Sequence, residues 1–203
     1  EAICRRLQNQ GFTVVANYGG NEAKAKQFTE ATGIPAYQWD VGDHQAALDG
    51  CARVEADVGP IDVLVNNAGI TRDGTLHRMK AGQWTDVINT NLNSVFNVTR
   101  PVIEGMRERK WGRIIQISSI NGLKGQYGQA NYAAAKAGMH GFTISLAREN
   151  ARNGVTVNTI SPGYIATDMV MAVPEEVRAK IVADIPTGRL GTPEEIAYGV
   201  GFL

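Results

Sequence analysis

The chain has 203 residues, of which 43% are hydrophobic, and its 20 basic and 20 acidic residues give zero formal net charge. This length and composition indicate one soluble domain with a sizeable core. The balanced charge argues against a nucleic-acid footprint or a polybasic membrane anchor, and no apolar run approaches the roughly 18 residues of a membrane span. Cys4 and Cys51 lack metal-ligand spacing, so we expect reduced thiols, no bound metal and a cytoplasmic protein.

Short apolar segments alternate with amphipathic helical segments along the chain. Residues 1–10 are typical of the latter part of a helix, and the pattern then predicts a buried strand (12–18), a helix (22–32), a strand (36–39), a helix (45–58) and a strand (61–67). A helical region follows at 83–109, where Pro101 should bend the helix or start a fresh turn. The remaining predicted elements are a strand (113–117), a helix (132–152), a strand (156–160) and short helices at 175–184 and from 193.

This alternation is the βαβ pattern of an α/β protein with a doubly wound, Rossmann-like parallel sheet and helices on both faces. We find no repeats and no linker, so the sequence predicts a single domain over residues 1–203.

The segment 118–138 carries the residues best suited to catalysis. Ser119 ends a predicted strand, which places its hydroxyl where open α/β sheets bind ligands. Tyr132 and Lys136 share one face of the following helix. A free tyrosine has a pKa of about 10, too high for a good acid at neutral pH, but a nearby ammonium lowers it. An isolated pair with this spacing is more often ordinary helix surface; the serine at this offset favours proton transfer to or from an alcohol or carbonyl oxygen.

Together with the segments NNAG (66–69) and PG (162–163) and an asparagine at 91, these residues make the sequence similar to the short-chain dehydrogenase/reductase family over nearly its whole length. The resemblance implies an oxidoreductase with a tetrad of Asn91, Ser119, Tyr132 and Lys136. In such a tetrad Tyr132 protonates the substrate oxygen, Ser119 orients it, and Lys136 binds the nicotinamide ribose and lowers the tyrosine pKa. The Asn91 side chain holds its helix so that a backbone carbonyl can fix a water near Lys136.

The resemblance also implies a set of cofactor-binding residues: Asp40, Val41, Asn67, Ala68, Gly69, Tyr132, Lys136, Pro162, Gly163, Ile165 and Thr167. Asp40 and Val41 would touch the adenine, although a helix N-terminus nearly as well explains the acidic residues there. NAD-preferring folds carry Asp or Glu at the end of the second strand. In this chain the corresponding place is the end of the first predicted strand (12–18), which Asn17 and Tyr18 occupy. The absence of a carboxylate there favours NADP(H).

The segment GLKGQYGQANY (122–132) resembles the members of the family that reduce acetoacetyl-CoA to (3R)-3-hydroxybutyryl-CoA in polyhydroxybutyrate synthesis. That resemblance implies a small-molecule acyl thioester held by Ser119, Gln126, Tyr127, Gln129, Tyr132 and Tyr164, although phenylalanine is common at the place of Tyr127. The alternative is a 3-oxoacyl-[acyl-carrier-protein] reductase, which shares the catalytic residues. A sugar-nucleotide epimerase is disfavoured by the short tail, and a non-catalytic redox sensor by the intact serine, tyrosine and lysine.

Two expectations concern the whole chain. The helices at 83–109 and 132–152 carry apolar residues on more than one face, for instance Val95, Val98, Met139, Phe142 and Leu146, so we expect a second burial partner; family members commonly form tetramers through such helices.

The second expectation concerns the sheet. The family's first strand, its glycine-rich TGxxxGxG turn and its last strand are not found in these residues. We therefore expect part of a longer protein, with two strand groups flanking a gap of roughly 10 Å, one strand wide. We also expect weak dinucleotide binding by the 203 residues alone, since the pyrophosphate cradle is missing.

Overall fold

The computed structural model describes residues 1–203, except for the side chain of Met169. Its strands are β1 (Ala16–Tyr18), β2 (Ala36–Gln38), β3 (Val63–Asn66), β4 (Gly112–Ile117) and β5 (Val155–Ile160). The helices are α1 (Ala2–Asn9), α2 (Glu22–Thr32), α3 (His44–Asp57), α4 (Ala81–Ile88), α5 (Ser94–Arg109), α6 (Asn121–Lys124), α7 (Ala130–Asn150), α8 (Asp168–Met171), α9 (Glu175–Ala183) and α10 (Pro193–Phe202). Short 3₁₀ turns lie at Leu76–Arg78 and Ala151–Asn153, and a π-helical turn at Asn89–Asn93.

The strands form two parallel sheets. One pairs β1 with β2, and the other has the order β3-β4-β5. The α/β class with parallel strands is therefore confirmed, as is the expectation of two strand groups, since neither β1 nor β2 pairs with β3. The width of the gap between the two groups stays a prediction.

The first predicted strand is shorter and less buried than the sequence suggested. Ladder pairing starts at Ala16, not at Phe12, and Phe12 is 41% exposed. The partner strand β2 offers only three residues for pairing, so residues 12–15 lie outside the ladder. Only Val14 of these packs against a core cluster.

The predicted helix at 83–109 is divided, but not at Pro101. The division is the π-helical turn Asn89–Asn93 between α4 and α5, and α5 runs through Pro101 without a break in its assignment. The Ser94 hydroxyl donates to the carbonyl of Thr90 over 2.6 Å within this turn. A π-turn arises where side-chain contacts displace the regular helical ladder, and such turns are frequent at functional sites.

Strand β4 carries the core on both of its faces. Ile114 belongs to a cluster with α3 and α5, completed by Ala47, Cys51, Val98, Val102, Met106, Val155 and Val157. Ile115 and Ile117 point the other way and pack with Leu7 of α1 and Val200 of α10. Because side chains alternate along a strand, helices cover both faces of the sheet. Within the described residues, no helix is both long and apolar enough to span a bilayer.

Candidate active site

The carboxyl ends of β3, β4 and β5 lie side by side, and the segments after β4 and β5 are hydrogen-bonded to each other. The amide of Ser118 donates to the carbonyl of Ile160 (2.8 Å), and the amide of Ile120 donates to that of Pro162 (2.9 Å). Ser119 is therefore fixed beside the loop of Pro162 and Gly163. Parallel sheets bind ligands at this edge.

Tyr132 lies in the first turn of α7, with its phenol near the Ser119 hydroxyl. Burial raises the pKa of Tyr132, the interaction with Ser119 opposes that rise, and the negative charge of Asp73 adds to it. From the sequence we expect Lys136 to lower this pKa. The structure corrects that expectation, because burial excludes water and the pKa of Tyr132 lies above its ordinary value. At neutral pH the phenol therefore carries its proton, and it is a weaker acid than a free tyrosine.

Lys136 is one turn further along α7 and is 3% exposed. Its Nζ lies 5.6 Å from the centre of the Tyr132 ring and donates to the carbonyl of Ile117 over 2.7 Å. Burial lowers the pKa of Lys136 to about 8, because the charged form is poorly solvated there. The structure therefore brings Ser119, Tyr132 and Lys136 together.

Asn91, fully buried in the π-helical turn, forms a two-way pair with the backbone of Ile70. Its Oδ1 accepts from the Ile70 amide (2.8 Å), and its Nδ2 donates to the Ile70 carbonyl (2.9 Å). A Cβ on Gly69 would lie 3.5 Å from Nζ of Lys136 and 3.6 Å from Oδ1 of Asn91. Asn91 thus anchors the loop after β3 beside the lysine; its role in holding a water stays a prediction.

The sequence of residues 1–178 matches the family described as short chain dehydrogenase. The chain belongs to that family. The acetoacetyl-CoA reductase of Rhizobium meliloti (strain 1021) is 59% identical over 203 residues, covering 100% of this chain and 84% of the relative. That of Shinella zoogloeoides is 58% identical with the same coverage. The 3-oxoacyl-[acyl-carrier-protein] reductase of Vibrio harveyi is 46% identical over 206 residues, or 100% of this chain and 83% of the relative.

As a short-chain dehydrogenase, the protein is an oxidoreductase that uses a nicotinamide cofactor. The residues present fit the reactive end of such a group. Asn67, Ala68 and Gly69 are exposed at the end of β3, and Gly69 leaves bare backbone against Lys136. Asn66 is buried and donates to Thr99 of α5 (3.3 Å), so it links the strand to a helix.

The residues expected at the adenine lie next to a cavity of about 400 Å³. Asp40 lines it and accepts from the amide of Gly42 (2.8 Å), while the carbonyl of Val41 accepts from Asn97 (3.0 Å). Asp43, which also lines the cavity, caps α3 through the amide of Ala46. The helix-terminus explanation is therefore correct for Asp43, and adenine contact by Asp40 and Val41 stays a prediction.

A second, larger cleft of about 650 Å³ begins at Ile120, beside Ser119, and includes Gln126, Gly163, Tyr164 and Ile165. Thr167 lies just beyond it, at the exposed start of α8.

Two of the other expected substrate residues are placed differently. The Gln129 side chain accepts from Asn121 and donates to Asp73, each over 3.0 Å. Tyr127 is 87% exposed and lines neither described cavity. A substrate role for these two residues is thus the least supported by the geometry.

Sequence reasoning missed two polar residues of this short-chain dehydrogenase site. Asn131, directly before Tyr132, is fully buried. His140, one turn after Lys136, has its Nε2 3.3 Å from Oγ of Ser118 and 3.4 Å from Oγ of Ser161. For His140, the available signal was a polar residue on the side of the helix that faces the strand ends.

Proposed function

We propose that this protein uses NADPH to reduce a short 3-oxoacyl thioester, with acetoacetyl-CoA as substrate and (3R)-3-hydroxybutyryl-CoA as product. The observation that carries the proposal is the pairing of the Ser119 and Tyr132 hydroxyls directly before Ile120, a residue that lines the larger cleft. The identity of 58–59% to two proteins named acetoacetyl-CoA reductase supports it.

A nicotinamide, when bound, would supply a hydride for the 3-carbonyl carbon. The carbonyl oxygen gains the phenolic proton of Tyr132, which the raised pKa keeps in place at neutral pH. Ser119 donates a hydrogen bond to the same oxygen and so polarises the carbonyl. The nicotinamide riboside would be held by Lys136, Asn67, Ala68, Gly69, Pro162, Gly163, Ile165 and Thr167.

The choice of NADP(H) rests on the end of β1. The side-chain Nδ2 of Asn17 donates to the carbonyls of Tyr37 and Trp39, at 3.4 and 3.1 Å, and Tyr18 ends the strand. The loop of Gly19, Gly20 and Asn21 that follows has no carboxylate. A 2′-phosphate would therefore meet no fixed negative charge there.

The larger cleft favours coenzyme A over a carrier protein as the thioester's other part. Lys124 and Lys180 line it, and neither forms an ion pair within the described part of the chain. The Lys124 ammonium lies 5.8 Å from the centre of the Tyr164 ring. Asp184 and the Arg189–Glu195 ion pair line the same cleft, so its lining keeps a net positive charge, which suits the phosphates of coenzyme A.

The deciding experiment measures NADPH oxidation by the full-length enzyme with acetoacetyl-CoA and with the acetoacetyl thioester of an acyl carrier protein. We expect kcat/KM to be at least about tenfold higher for the coenzyme A thioester, a difference of about 1.4 kcal/mol. A preference for the carrier-protein thioester would assign the enzyme to fatty acid synthesis, and no oxidation with either would refute the proposal.

A further inference from the structure

Asn131 is the residue directly before the proposed proton donor, and it is 0% exposed. It stands in the first turn of α7, where backbone amides lack partners within the helix. Its carboxamide has two donor hydrogens and an acceptor oxygen, all of which must be satisfied if burial is not to cost free energy. Burial here therefore requires partners from outside the helix.

The side chain finds two such partners in other segments, and a third within α7 itself. Its Nδ2 donates to the carbonyls of Arg72 (3.1 Å) and Gln83 (3.0 Å). Its Oδ1 accepts from the amide of Tyr132 over 2.8 Å. Asn131 thus ties the start of the catalytic helix to the loop after β3 and to α4.

Neighbouring contacts strengthen the same connection. The amide of Gly74 donates to the carbonyl of Gly128 (2.8 Å), and Gln129 joins Asp73 to Asn121. The Asn121 amide in turn donates to Oγ of Ser119 (3.1 Å). The loop at 72–74 is therefore bound to both segments that carry a reacting hydroxyl.

We propose that Asn131 is a positioning residue for Tyr132. By fixing the Tyr132 backbone to the Arg72 and Gln83 carbonyls, it sets the place of the phenol relative to Ser119. Small displacements of a reacting group reduce rate strongly, because the aligned geometry is what binding supplies. This inference rests on the proposed function, in which the phenol gives up its proton.

The test compares Asn131→Ala with Asn150→Ala in the full-length enzyme. Asn150 is a matched control because it is 1% exposed, lies on the same helix, donates to Leu146 and accepts from Arg107. It is 18 residues further along the helix from Tyr132, about 27 Å at 1.5 Å per residue. Both substitutions remove a buried carboxamide, and only one of these lies beside the phenol.

We expect Asn131→Ala to lower kcat with acetoacetyl-CoA by about 10- to 100-fold, with KM and the Kd for NADPH within about threefold. Asn150→Ala should lower the Tm comparably and keep kcat within about twofold. Equal kcat losses in the two variants, or an unchanged kcat in Asn131→Ala, would overturn the assignment.

A second readout needs no substrate, so it separates this inference from the proposed function. Ultraviolet difference titration, with Tyr132→Phe as the subtraction, measures the pKa of the Tyr132 phenol. Since burial raises this pKa, a phenol that loses its fixed position should ionise at lower pH in Asn131→Ala and at the wild-type pH in Asn150→Ala. An unchanged phenol pKa in Asn131→Ala would refute the positioning role, whatever the substrate; failure of the wild type to reduce acetoacetyl-CoA would refute only the proposed function.

Discussion

Lys136 is a buried ammonium with a lowered pKa, so its ionisation can be measured through its effect on the free energy of unfolding. In the unfolded chain it holds its proton up to about pH 10.5, and in the folded chain only to about 8. Between these values the unfolded state binds more protons, so the contribution of Lys136 to the free energy of unfolding rises with pH. Below pH 8 both states are protonated and the burial cost is present in full.

We therefore predict that the free energy of unfolding of the wild type, relative to Lys136→Met, rises by on the order of 3 kcal/mol from pH 8 to 10.5. Urea unfolding at three pH values in this range measures it. Other titrating groups, such as the Cys51 thiol, whose pKa burial raises to about 11, are common to both proteins and cancel. Parallel pH curves would show that the ammonium is not desolvated as the structure indicates.

Tyr132→Phe removes the transferable proton and keeps the ring. We predict that turnover is abolished in the full-length enzyme while NADPH still binds, as measured by steady-state assay and by fluorescence titration. Tyr198→Phe, an exposed tyrosine on α10, is the control and should keep wild-type turnover. Residual turnover above about a tenth in Tyr132→Phe, a loss under about 1.4 kcal/mol, would contradict the proton-donor role.

Tyr18 tests the cofactor preference. The wild type should show higher kcat/KM with NADPH than with NADH, and Tyr18→Asp should shift the ratio toward NADH because a carboxylate repels the 2′-phosphate. Tyr18→Asn is the matched control: it removes the ring without adding charge, so it separates lost packing from repulsion. Equal kcat/KM with both cofactors in the wild type would contradict the preference for NADPH.

At the scale of elements, the short helix α6 approaches the catalytic helix through a glycine. A Cβ on Gly122 would lie 2.8 Å from both the Ala137 amide nitrogen and the Lys136 carbonyl carbon. These are backbone atoms of α7 and cannot move aside cheaply. The absence of a side chain at Gly122 is thus what allows α6, just after Ser119, to pack beside Lys136.

We predict that Gly122→Ala destabilises the protein by about 1–3 kcal/mol, as overpacking does, and lowers kcat. Thermal unfolding and steady-state kinetics check this. In the control Gly82→Ala, on helix α4, the new methyl group meets no atom within 4 Å, so stability should be equal or slightly higher. A Gly122→Ala enzyme as stable and active as the control would show that the two helices separate freely.

Elements with local end signals were predictable from sequence. Helix α2 has the predicted bounds, because Asn21 accepts from the amide of Lys24 at one end and Gly33 takes φ 72° at the other. The π-turn was not predicted, since it depends on the pairing of Asn91 with Ile70, 21 residues away. Helices α6 and α8 are too short to show a periodicity.

The same distinction holds for the site. Spacing along one strand and one helix was enough to find Ser119, Tyr132 and Lys136. Asn131 was missed because its partner Arg72 is 59 residues away and contributes only a backbone carbonyl, which no side-chain pattern reveals. The direction of the Tyr132 pKa shift was wrong because spacing shows which charges are near and not how much water burial excludes.

At the scale of the whole molecule, the apolar residues that favour an oligomer are not the ones chosen from the sequence. Val95, Val98 and Met139, which the sequence argument offered as surplus apolar surface, are buried within the chain itself at 1%, 7% and 0% exposure. Other residues of the same helices leave apolar surface on the outside: Phe96 of α5 is 52% exposed and Ile144 of α7 is 58% exposed. Large exposed apolar side chains on both helices favour an interface.

We predict that the full-length protein is a homotetramer in which α5 and α7 pack against their counterparts in a second copy. Multi-angle light scattering at micromolar concentration should give four times the subunit mass. The double variant Phe96→Lys with Ile144→Lys should give a smaller species, because each ammonium would have to be desolvated at the interface. Val58→Lys, which places the same charge at the end of α3 on a residue 41% exposed, should leave the mass unchanged. A wild-type monomer would refute the assembly, and a double variant that remains tetrameric would place the interface on another surface.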